Sequence, residues 1–268
     1  MRGEHYFMDK YEEFLLERAN AIRHLGNDSN LKKLGVRFVR DTAKYKYSYN
    51  FDWMGRPIIQ FPQDIVAMQE LIWRVKPDLI IETGIAHGGS LTMSASMLAL
   101  LDYSDAVANK NIVDPLKSNR KVLGIDIEIR KHNRLAIERH PMSHLIQMIQ
   151  GSSIDPEIVQ EVQNVARGYK RILVCLDSNH THEHVLSELQ AYAPLASLDS
   201  YCVVFDTIIE DLPVTMFPDR PWGIGNNPKT AVKEFLESHP EFEIDEDIQN
   251  KLLISVAPNG YLKRVSND

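Results

Sequence analysis

From residue 79 onward, short apolar runs alternate with stretches whose apolar residues recur at helical spacing, and this alternation limits the possible folds most strongly. Each of five such runs ends at a polar residue or glycine, and they cover residues 79–81, 122–125, 145–149, 172–176 and 201–205. Strands joined by crossover helices form a mostly parallel sheet that is covered on both faces. We therefore predict a doubly wound α/β fold.

The C-terminal segment predicts one hairpin in addition. Residues 252–256 and 261–265 are strand-like and flank Pro258-Asn259-Gly260, and an Asn-Gly pair between two such runs favours a tight turn. Five alternating units and a hairpin match the mostly parallel, seven-stranded, Rossmann-like sheet of class I methyltransferases. Other doubly wound folds fit the pattern nearly as well.

The N-terminal part has a different pattern. Apolar residues recur at helical spacing over residues 5–25, which indicates a helix. Residues 26–60 are less regular and rich in aromatics. Within them, the stretch KYKYSYNF alternates as a half-exposed strand does, and residues 54–57 indicate a turn.

Helical spacing returns over residues 63–75, ahead of the first strand of the predicted sheet. We expect residues 1–60 to form an N-terminal extension, a helix plus an aromatic segment, and residues 61–268 to form the α/β domain. The amphipathic N-terminal helix also makes a homo-oligomer an expectation.

The charge balance argues against a nucleic-acid partner. The formal net charge is −7, whereas affinity for nucleic-acid phosphates comes from clustered Lys and Arg. No apolar run is long enough to span a bilayer, and the N-terminus lacks the apolar core of a signal peptide. We expect a cytoplasmic protein with no membrane span. Cys175 and Cys202 lie in apolar runs and predict buried side chains, not a zinc site.

A glycine-rich turn follows the first predicted strand and precedes a helix. Its sequence is Glu82-Thr83-Gly84-Ile85-Ala86-His87-Gly88-Gly89-Ser90. Ala86 occupies the middle position of the three-glycine dinucleotide pattern, and an acid at the start would repel a pyrophosphate. S-adenosylmethionine (AdoMet) carries a sulfonium, an ammonium and no phosphate, so it suits this turn. A turn that needs glycine only for its geometry is the alternative.

We predict that AdoMet contacts this turn and the loops after the next strands. Glu82 would attract the cationic methionine part, and backbone N–H groups near Gly88–Ser90 would receive its carboxylate. Asp126, after the second strand, would accept the ribose hydroxyls; a simple loop acid is the alternative. The loop after the third strand would lie at the adenine edge. The predicted cofactor-binding residues are Glu82, Thr83, Gly84, Gly88, Gly89, Ser90, Asp126, Ser152, Ser153 and Asp177.

Two aspartates, Asp177 and Asp206, follow the fourth and fifth predicted strands. Because the carboxyl ends of parallel strands converge on one crevice, the two carboxylates could share Mg²⁺ or a similar divalent cation. That cation would lower the pKa of an acceptor hydroxyl. Capping of the following helices is the alternative, and one residue can do both.

His180 follows Asp177 closely and is the candidate general base. His180, His182 and His184 are spaced by two residues. That spacing does not place them on one helix face, so we do not expect a zinc cluster. We predict that His184 is a structural residue.

These motifs resemble the cephalosporin hydroxylase family, a group of class I AdoMet-dependent methyltransferase-like proteins. The matching stretches are WMGRPIIQFPQD, KPDLIIETGIAHGGS, VLGIDIEI, the Gly-Ser-Ser at 151–153, LDSNHTHEHV and YCVVFDT, and they cover most of residues 45–240. The resemblance implies a sugar or macrolide O-methyltransferase with Mg²⁺ in the site. The AdoMet-binding residues that it implies are Glu82, Gly84, Gly88 and Ser90, with Asp126 on the ribose.

The resemblance also implies that Asp177 and Asp206 are metal ligands, but the chain departs from the family pattern beside them. The family commonly has Glu-Asp after the fifth strand, and this chain has Phe205-Asp206. Water or Thr207 would have to complete the coordination. We predict that Trp53, Arg56 and Trp222 contact the acceptor. Residues 220–228 would form a mobile lid or a plain surface loop.

Our first hypothesis is an AdoMet-dependent, Mg²⁺-assisted O-methyltransferase acting on a small-molecule or glycan acceptor, a sugar or a polyhydroxylated metabolite, because vicinal hydroxyls suit chelation by one cation. The second is an inactive or assembly protein that keeps the fold, which Phe205 favours. An NAD-dependent oxidoreductase suits the alternation of strands and helices but not the glycine spacing.

Overall fold

The computed structural model describes residues 9–267, and two helices begin this part of the chain. Helix α1 spans Lys10–Asn27 and helix α2 spans Ser29–Ala43. Asp9 caps α1 in a capping box with Glu12. The prediction of a helix over residues 5–25 is confirmed from residue 10 onward, and residues 5–8 lie outside the described part.

Helix α2 was not expected, because we predicted an irregular segment over residues 26–60. The side chain of Asp28 accepts hydrogen bonds from the N–H groups of Asn30 and Leu31, which starts the second helix directly after the first. The predicted strand over KYKYSYNF is also wrong for most of its length. Residues Tyr47–Asn50 form a 3₁₀ turn, and the Tyr47 ring packs against the rings of Phe38 and Phe51.

A small hairpin follows, formed by β1 (Phe51–Trp53) and β2 (Arg56–Ile58). Met54 and Gly55 both have positive φ, at 47° and 80°, as the tightest hairpin turn requires. The predicted turn over residues 54–57 is therefore confirmed. Helix α3 spans Pro62–Val75 and confirms the helix predicted over residues 63–75.

The remaining elements alternate along the chain as predicted. They are β3 (Leu79–Thr83), α4 (Gly89–Ala108), β4 (Lys121–Asp126), α5 (Lys131–Glu138), β5 (Ile146–Gln150), α6 (Pro156–Ala166), β6 (Ile172–Leu176), α7 (His182–Tyr192), β7 (Tyr201–Val204), α8 (Pro228–Ser238), β8 (Phe242–Ile244), α9 (Glu246–Leu252) and β9 (Tyr261–Arg264). The strands form a seven-stranded sheet in the order β5-β4-β3-β6-β7-β9-β8. All pairs are parallel except those of β9, which is antiparallel to both of its neighbours.

Two apolar layers cover this sheet, one on each face. One layer includes Leu71, Ile80 and Leu98, and the other includes Leu79 and Val174, all of them fully buried. Neighbouring residues of one strand thus point into opposite layers. This explains why the central strands are continuous apolar runs and do not alternate with polar residues.

The predicted C-terminal hairpin is wrong in its partner strand. Residues 252–256 do not pair with β9, and the strand beside β9 is β8. Leu252 ends helix α9, and Leu253 has a positive φ of 58° that breaks any extended run. The following residues contact α3 instead, because Ser255 and the N–H of Val256 donate to the carboxylate of Asp64.

None of the helices in residues 9–267 is long and apolar enough to cross a bilayer. The parallel strands β4, β3, β6 and β7 lie side by side and end at the same edge of the sheet. Glu82 and Asp126 lie in the last two residues of β3 and β4, Asp177 directly follows β6, and Asp206 lies two residues after β7. The fold therefore collects the predicted site residues along one edge.

Candidate active site

The glycine-rich turn connects β3 to α4 and lies against the loop after β6. Gly84 has a φ of +88°, and a Cβ atom there would lie 2.0 Å from the carbonyl oxygen of Asp177. Gly88 has a φ of +80° and precedes the first turn of α4. Only glycine fits at Gly84, where the conformation and the close approach coincide. The turn is thus fixed close to Asp177.

The small N-terminal hairpin holds the other side of this turn. Arg56 Nε donates to the carbonyl oxygen of His87 at 2.9 Å, and Nη2 donates to Asn133 Oδ1 at 3.2 Å. A Cβ atom on Gly89 would lie 2.2 Å from the carbonyl oxygen of Pro57. Arg56 therefore supports the turn, whereas the sequence predicted a contact with the acceptor.

Trp53 was predicted to contact the acceptor as well. Its Nε1–H donates to Ser96 Oγ at 3.0 Å, on α4, and its ring packs against the larger apolar layer. The side chains of Trp53 and Arg56 therefore both make contacts within the protein. A contact of Trp53 or Arg56 with the acceptor stays a prediction.

Asp126 lies next to the glycine-rich turn, as predicted, and its carboxylate supports the turn. Oδ2 accepts from the N–H groups of Ile85 at 2.8 Å and Ala86 at 3.2 Å, and Oδ1 accepts from the N–H of Glu128 at 3.0 Å. Each oxygen of a carboxylate has two lone pairs and can accept two hydrogen bonds. One acceptor position on Oδ1 therefore remains for a ligand.

Glu82 is buried near the end of β3, and Ser90 Oγ donates to its carboxylate. Burial raises the pKa of Glu82 to about 7, and the hydrogen bond from Ser90 opposes this rise. The side chain can therefore ionise near neutral pH when a cation approaches. Thr83, the next residue, is fully buried and its backbone oxygen accepts from the N–H of Asp177.

A small cavity of about 20 Å³ adjoins Glu82, Asp177 and Gln60, with room for about one water-sized group. Gln60 is 7% exposed, and its Nε2 donates to Asp177 Oδ2 at 3.3 Å. Gln60 Oε1 has no hydrogen-bond partner among residues 9–267. A buried oxygen without a partner, next to the carboxyl groups of the buried Glu82 and the partly buried Asp177, favours a cation that donates hydrogen bonds.

Asp177, His180 and Asp206 form a cluster beside this cavity. One ligand atom of each lies within 4.8 Å of the others. His180 Nε2 lies 3.2 Å from Asp206 Oδ2. Burial, followed by the carboxylates of Asp206 and Glu82, holds the pKa of Asp177 well above its usual range. A bound cation would relieve this repulsion.

The backbone at Asp206 explains how its carboxylate reaches His180. Its φ is 57°, in the left-handed region that non-glycine residues seldom adopt. Such backbone outliers concentrate at functional sites. Asp206 also precedes a 3₁₀ turn, but its side chain makes no capping hydrogen bond there. The capping alternative is therefore not observed for Asp206.

The loop over residues 220–228 reaches the cluster through Trp222. The Trp222 ring meets the His180 ring edge to face, with centroids 4.9 Å apart. The guanidinium of Arg220 lies over the Trp222 ring, 5.1 Å from its centroid. Of the three predicted acceptor contacts, Trp222 alone lies next to the candidate base. Asn227 anchors the end of this loop as the cap of α8.

Ser152 and Ser153 follow β5 as expected, but the side chain of Ser153 points into the protein. It is buried, and its Oγ lies 3.1 Å from His184 Nε2. The same nitrogen lies 3.2 Å from Ser178 Oγ, which donates to the buried Glu188 at 2.7 Å. His184 thus joins the loops after β5 and β6, in agreement with its predicted structural role.

The donor set fits a hard divalent cation, with one weakness. Two carboxylates and one imidazole converge, and both Asp177 and Asp206 present oxygen ligands. Phe205 is buried in the cavity wall and supplies no ligand. Thr207 is also buried, and its hydroxyl donates to the carbonyl of Pro258 at 2.7 Å. We therefore leave Thr207 out of the ligand set, so water or substrate would complete it.

Sequence reasoning missed Gln60, Asp64 and Glu188, although the first two lie in a quoted motif. Asp64 accepts from Ser255 and Tyr261, and burial raises its pKa to about 6. The only sign of these residues in the sequence was a polar residue inside an apolar stretch. That sign could not reveal which cavity each side chain would face.

The strand order and the glycine-rich turn at β3 define a class I, Rossmann-like methyltransferase fold. The solved structure described as "cmcI-D160 Mg-SAM" has this fold, with a TM-score of 0.53 and 17% identity over 81% of this chain and 78% of its own. A second structure, "cmcI-N160 SAH", gives 0.53 and 18% over 81% and 83%.

The family model described as rhamnosyl O-methyltransferase/CmcI matches residues 45–265, so the chain belongs to this family. The rhamnosyl O-methyltransferase of Mycobacterium bovis (strain BCG / Pasteur 1173P2) is 30% identical over 216 residues, 79% of this chain and 77% of the relative. That of Mycobacterium leprae (strain TN) is 28% identical over 214 residues, 79% and 82%. The predicted family and the O-methyltransferase class of enzyme are confirmed.

Proposed function

We propose that this protein transfers the methyl group of AdoMet to a hydroxyl of a sugar or a similar polyhydroxylated acceptor. The observation that carries the proposal is the convergence of Asp177, His180 and Asp206 directly beside the buried Glu82. The relatives named rhamnosyl O-methyltransferase support a sugar as the acceptor. AdoMet supplies an electrophilic methyl group on a sulfonium, so the protein has to position the hydroxyl and remove its proton.

Glu82 and Gln60 would bind the ammonium end of the donor. Both side chains face the small cavity, and the unpartnered Gln60 Oε1 would accept one N–H. The N–H groups near Gly88–Ser90, at the start of α4, would bind the methionine carboxylate. The remaining acceptor position on Asp126 would take a ribose hydroxyl. Ser152 and the backbone of Ser153 would lie at the adenine edge.

His180 would remove the proton of the acceptor hydroxyl. When Nε2–H of the neutral ring donates to Asp206, the other ring nitrogen becomes the acceptor. The packed edge of Trp222 fixes the plane of the ring. A base held by a carboxylate on one side and by an aromatic ring on the other is well positioned for proton transfer.

Asp177 and Asp206 would hold a divalent cation such as Mg²⁺, and His180 would stay beside it as the base. When bound, the cation would act as a Lewis acid that lowers the pKa of a chelated hydroxyl. Phe205 favours the rival hypothesis of an inactive or assembly protein, because one carboxylate of the family pattern is absent. Binding of AdoMet without methyl transfer to any sugar acceptor would support that rival.

We also infer the cellular setting from the chain itself. The net charge of −7 favours a protein without a nucleic-acid partner, and a cytoplasmic location stays a proposal. Exposed apolar residues on the two N-terminal helices, including Tyr11, Phe14 and Leu34, favour a homo-oligomer. The division into residues 1–60 and 61–268 stays a prediction.

Calorimetry with AdoMet and S-adenosylhomocysteine, followed by methyl transfer to rhamnose-bearing acceptors, tests the proposal. We expect binding of both ligands and transfer that requires Asp177. Asp177→Asn should abolish transfer and leave the affinity for AdoMet nearly intact, while the exposed Glu128→Gln serves as the matched control. Absence of binding at millimolar concentration would overturn the proposal.

A further inference from the structure

A basic groove lies on the far side of Asp206 from the glycine-rich turn. It has a volume of about 660 Å³, within the range of small-molecule sites. Helix α2 forms one wall. The other wall consists of the 3₁₀ turn after Asp206, the start of α8 and the loop before β9, and it includes Ile208, Lys229 and Asn259.

The groove is strongly positive in a chain whose net charge is −7. Its cationic residues are Lys32, Lys33, Arg37, Arg40 and Lys229. Asp41 pairs with both arginines, and Asp211 pairs with Lys229. Five cations thus face two carboxylates. Lys32 and Lys33 have no ion-pair partner within residues 9–267.

The position of the groove in the fold relates it to the active site. Along the carboxyl edge of the sheet, Asp126, Glu82, Asp177 and Asp206 lie in order at the ends of β4, β3, β6 and β7. The loop before β9 comes next, because β9 is antiparallel to β7 and begins at that edge. Ile208 lies two residues after Asp206 and lines the groove. The groove therefore continues the edge on the side away from the donor.

We propose that this groove binds the pyrophosphate group of an acceptor whose sugar is linked to a diphosphate, and this proposal rests on the proposed function. The donor occupies the β4–β3 side, so the remote part of an acceptor placed at His180 extends toward the β9 side. Several cations that converge without full neutralisation select phosphate oxygens.

The test measures binding of inorganic pyrophosphate by calorimetry in metal-free buffer, to wild type and to Lys32→Glu/Lys33→Glu. We expect binding to the wild type and a loss of about tenfold or more in the variant, because two unneutralised cations become anions. The matched control is Lys110→Glu/Lys170→Glu, which makes the same charge change near the opposite edge of the sheet. The control should bind as wild type does.

Uridine diphosphate and farnesyl diphosphate, titrated in parallel, identify the carrier. Tighter binding of the first than of pyrophosphate indicates a nucleotide, and tighter binding of the second indicates a lipid. The milder Lys32→Gln/Lys33→Gln gives a smaller loss of the same sign if the Glu variant does not fold. Equal pyrophosphate affinity of wild type and a folded lysine variant would overturn the proposal. The proposal would also be overturned if a sample that binds AdoMet bound none of the three compounds. That result would leave the proposed function standing.

Discussion

Nε2 of His180 lies 3.2 Å from Oδ2 of Asp206, and the two residues come from loops after neighbouring parallel strands. This contact joins the candidate base to a candidate metal ligand. It depends on the left-handed backbone at Asp206 and on the short loop between β6 and α7. Neither residue could reach the other if β6 and β7 were not adjacent.

Removing the base should slow methyl transfer and spare donor binding. We expect His180→Ala to lower kcat by about a hundredfold or more, the usual contribution of a positioned general base. AdoMet affinity, measured by calorimetry, should stay within about twofold, because the ring does not contact the glycine-rich turn. His24→Gln, an exposed histidine on α1, is the control. An equal loss of kcat in both variants would contradict the role of His180.

The affinity for AdoMet should fall as the pH falls below neutrality. Glu82 has a pKa raised to about 7 by burial, and the cationic donor binds its ionised form. Each pH unit below that value should therefore weaken binding by about tenfold. Glu82→Gln should bind more weakly at neutral pH and show little pH dependence, whereas Glu128→Gln should keep the wild-type slope. A pH-independent wild-type affinity between about pH 5.5 and 8 would remove Glu82 from the donor site.

Restoring the carboxylate of the family pattern should strengthen metal binding. Phe205→Glu adds an oxygen ligand next to Asp206, so we expect Mg²⁺ affinity to rise by about tenfold or more. Without metal, the same variant should be less stable by about 1–3 kcal/mol, because another acid joins the buried carboxylates. Calorimetry and thermal unfolding measure the two effects. Phe205→Leu, which keeps an apolar side chain, should change neither property strongly; a Glu variant with unchanged metal affinity would place the cation elsewhere.

Arg56 should affect donor binding although it is not expected to touch the donor. Arg56→Ala removes the hydrogen bonds to His87 and Asn133 that hold the glycine-rich turn. We expect AdoMet affinity to fall by about tenfold, consistent with about 1–2 kcal/mol for lost charge-assisted hydrogen bonds. The control is Arg74→Ala, on α3 away from this turn. If Arg56→Ala instead raises only the KM for the acceptor, the original assignment of Arg56 as an acceptor contact is correct.

The sequence predicted the sheet well because its parallel strands are buried on both faces and form continuous apolar runs. It also predicted which acids share one edge, since that follows from strand direction alone. Helix α2 was missed because its start depends on the side chain of Asp28 and its buried face is narrow. The partner of β9 was missed because that pairing joins residues distant in the chain.

Side-chain direction was the other limit of the sequence. We predicted that Trp53 and Arg56 contact the acceptor, and the hairpin turns both of them against α4 and the glycine-rich turn. Gln60 carried no motif of its own, and its role follows only from the cavity it faces. Such contacts depend on how the N-terminal segment folds back, which no local pattern encodes.

The most direct test is a crystal structure of the protein with S-adenosylhomocysteine bound. We expect its amino group beside Glu82 and Gln60, its ribose next to Asp126, and its sulfur facing His180 and Asp177 across the end of β6. A ligand bound outside this edge, or an amino group that contacts neither Glu82 nor Gln60, would contradict this expectation.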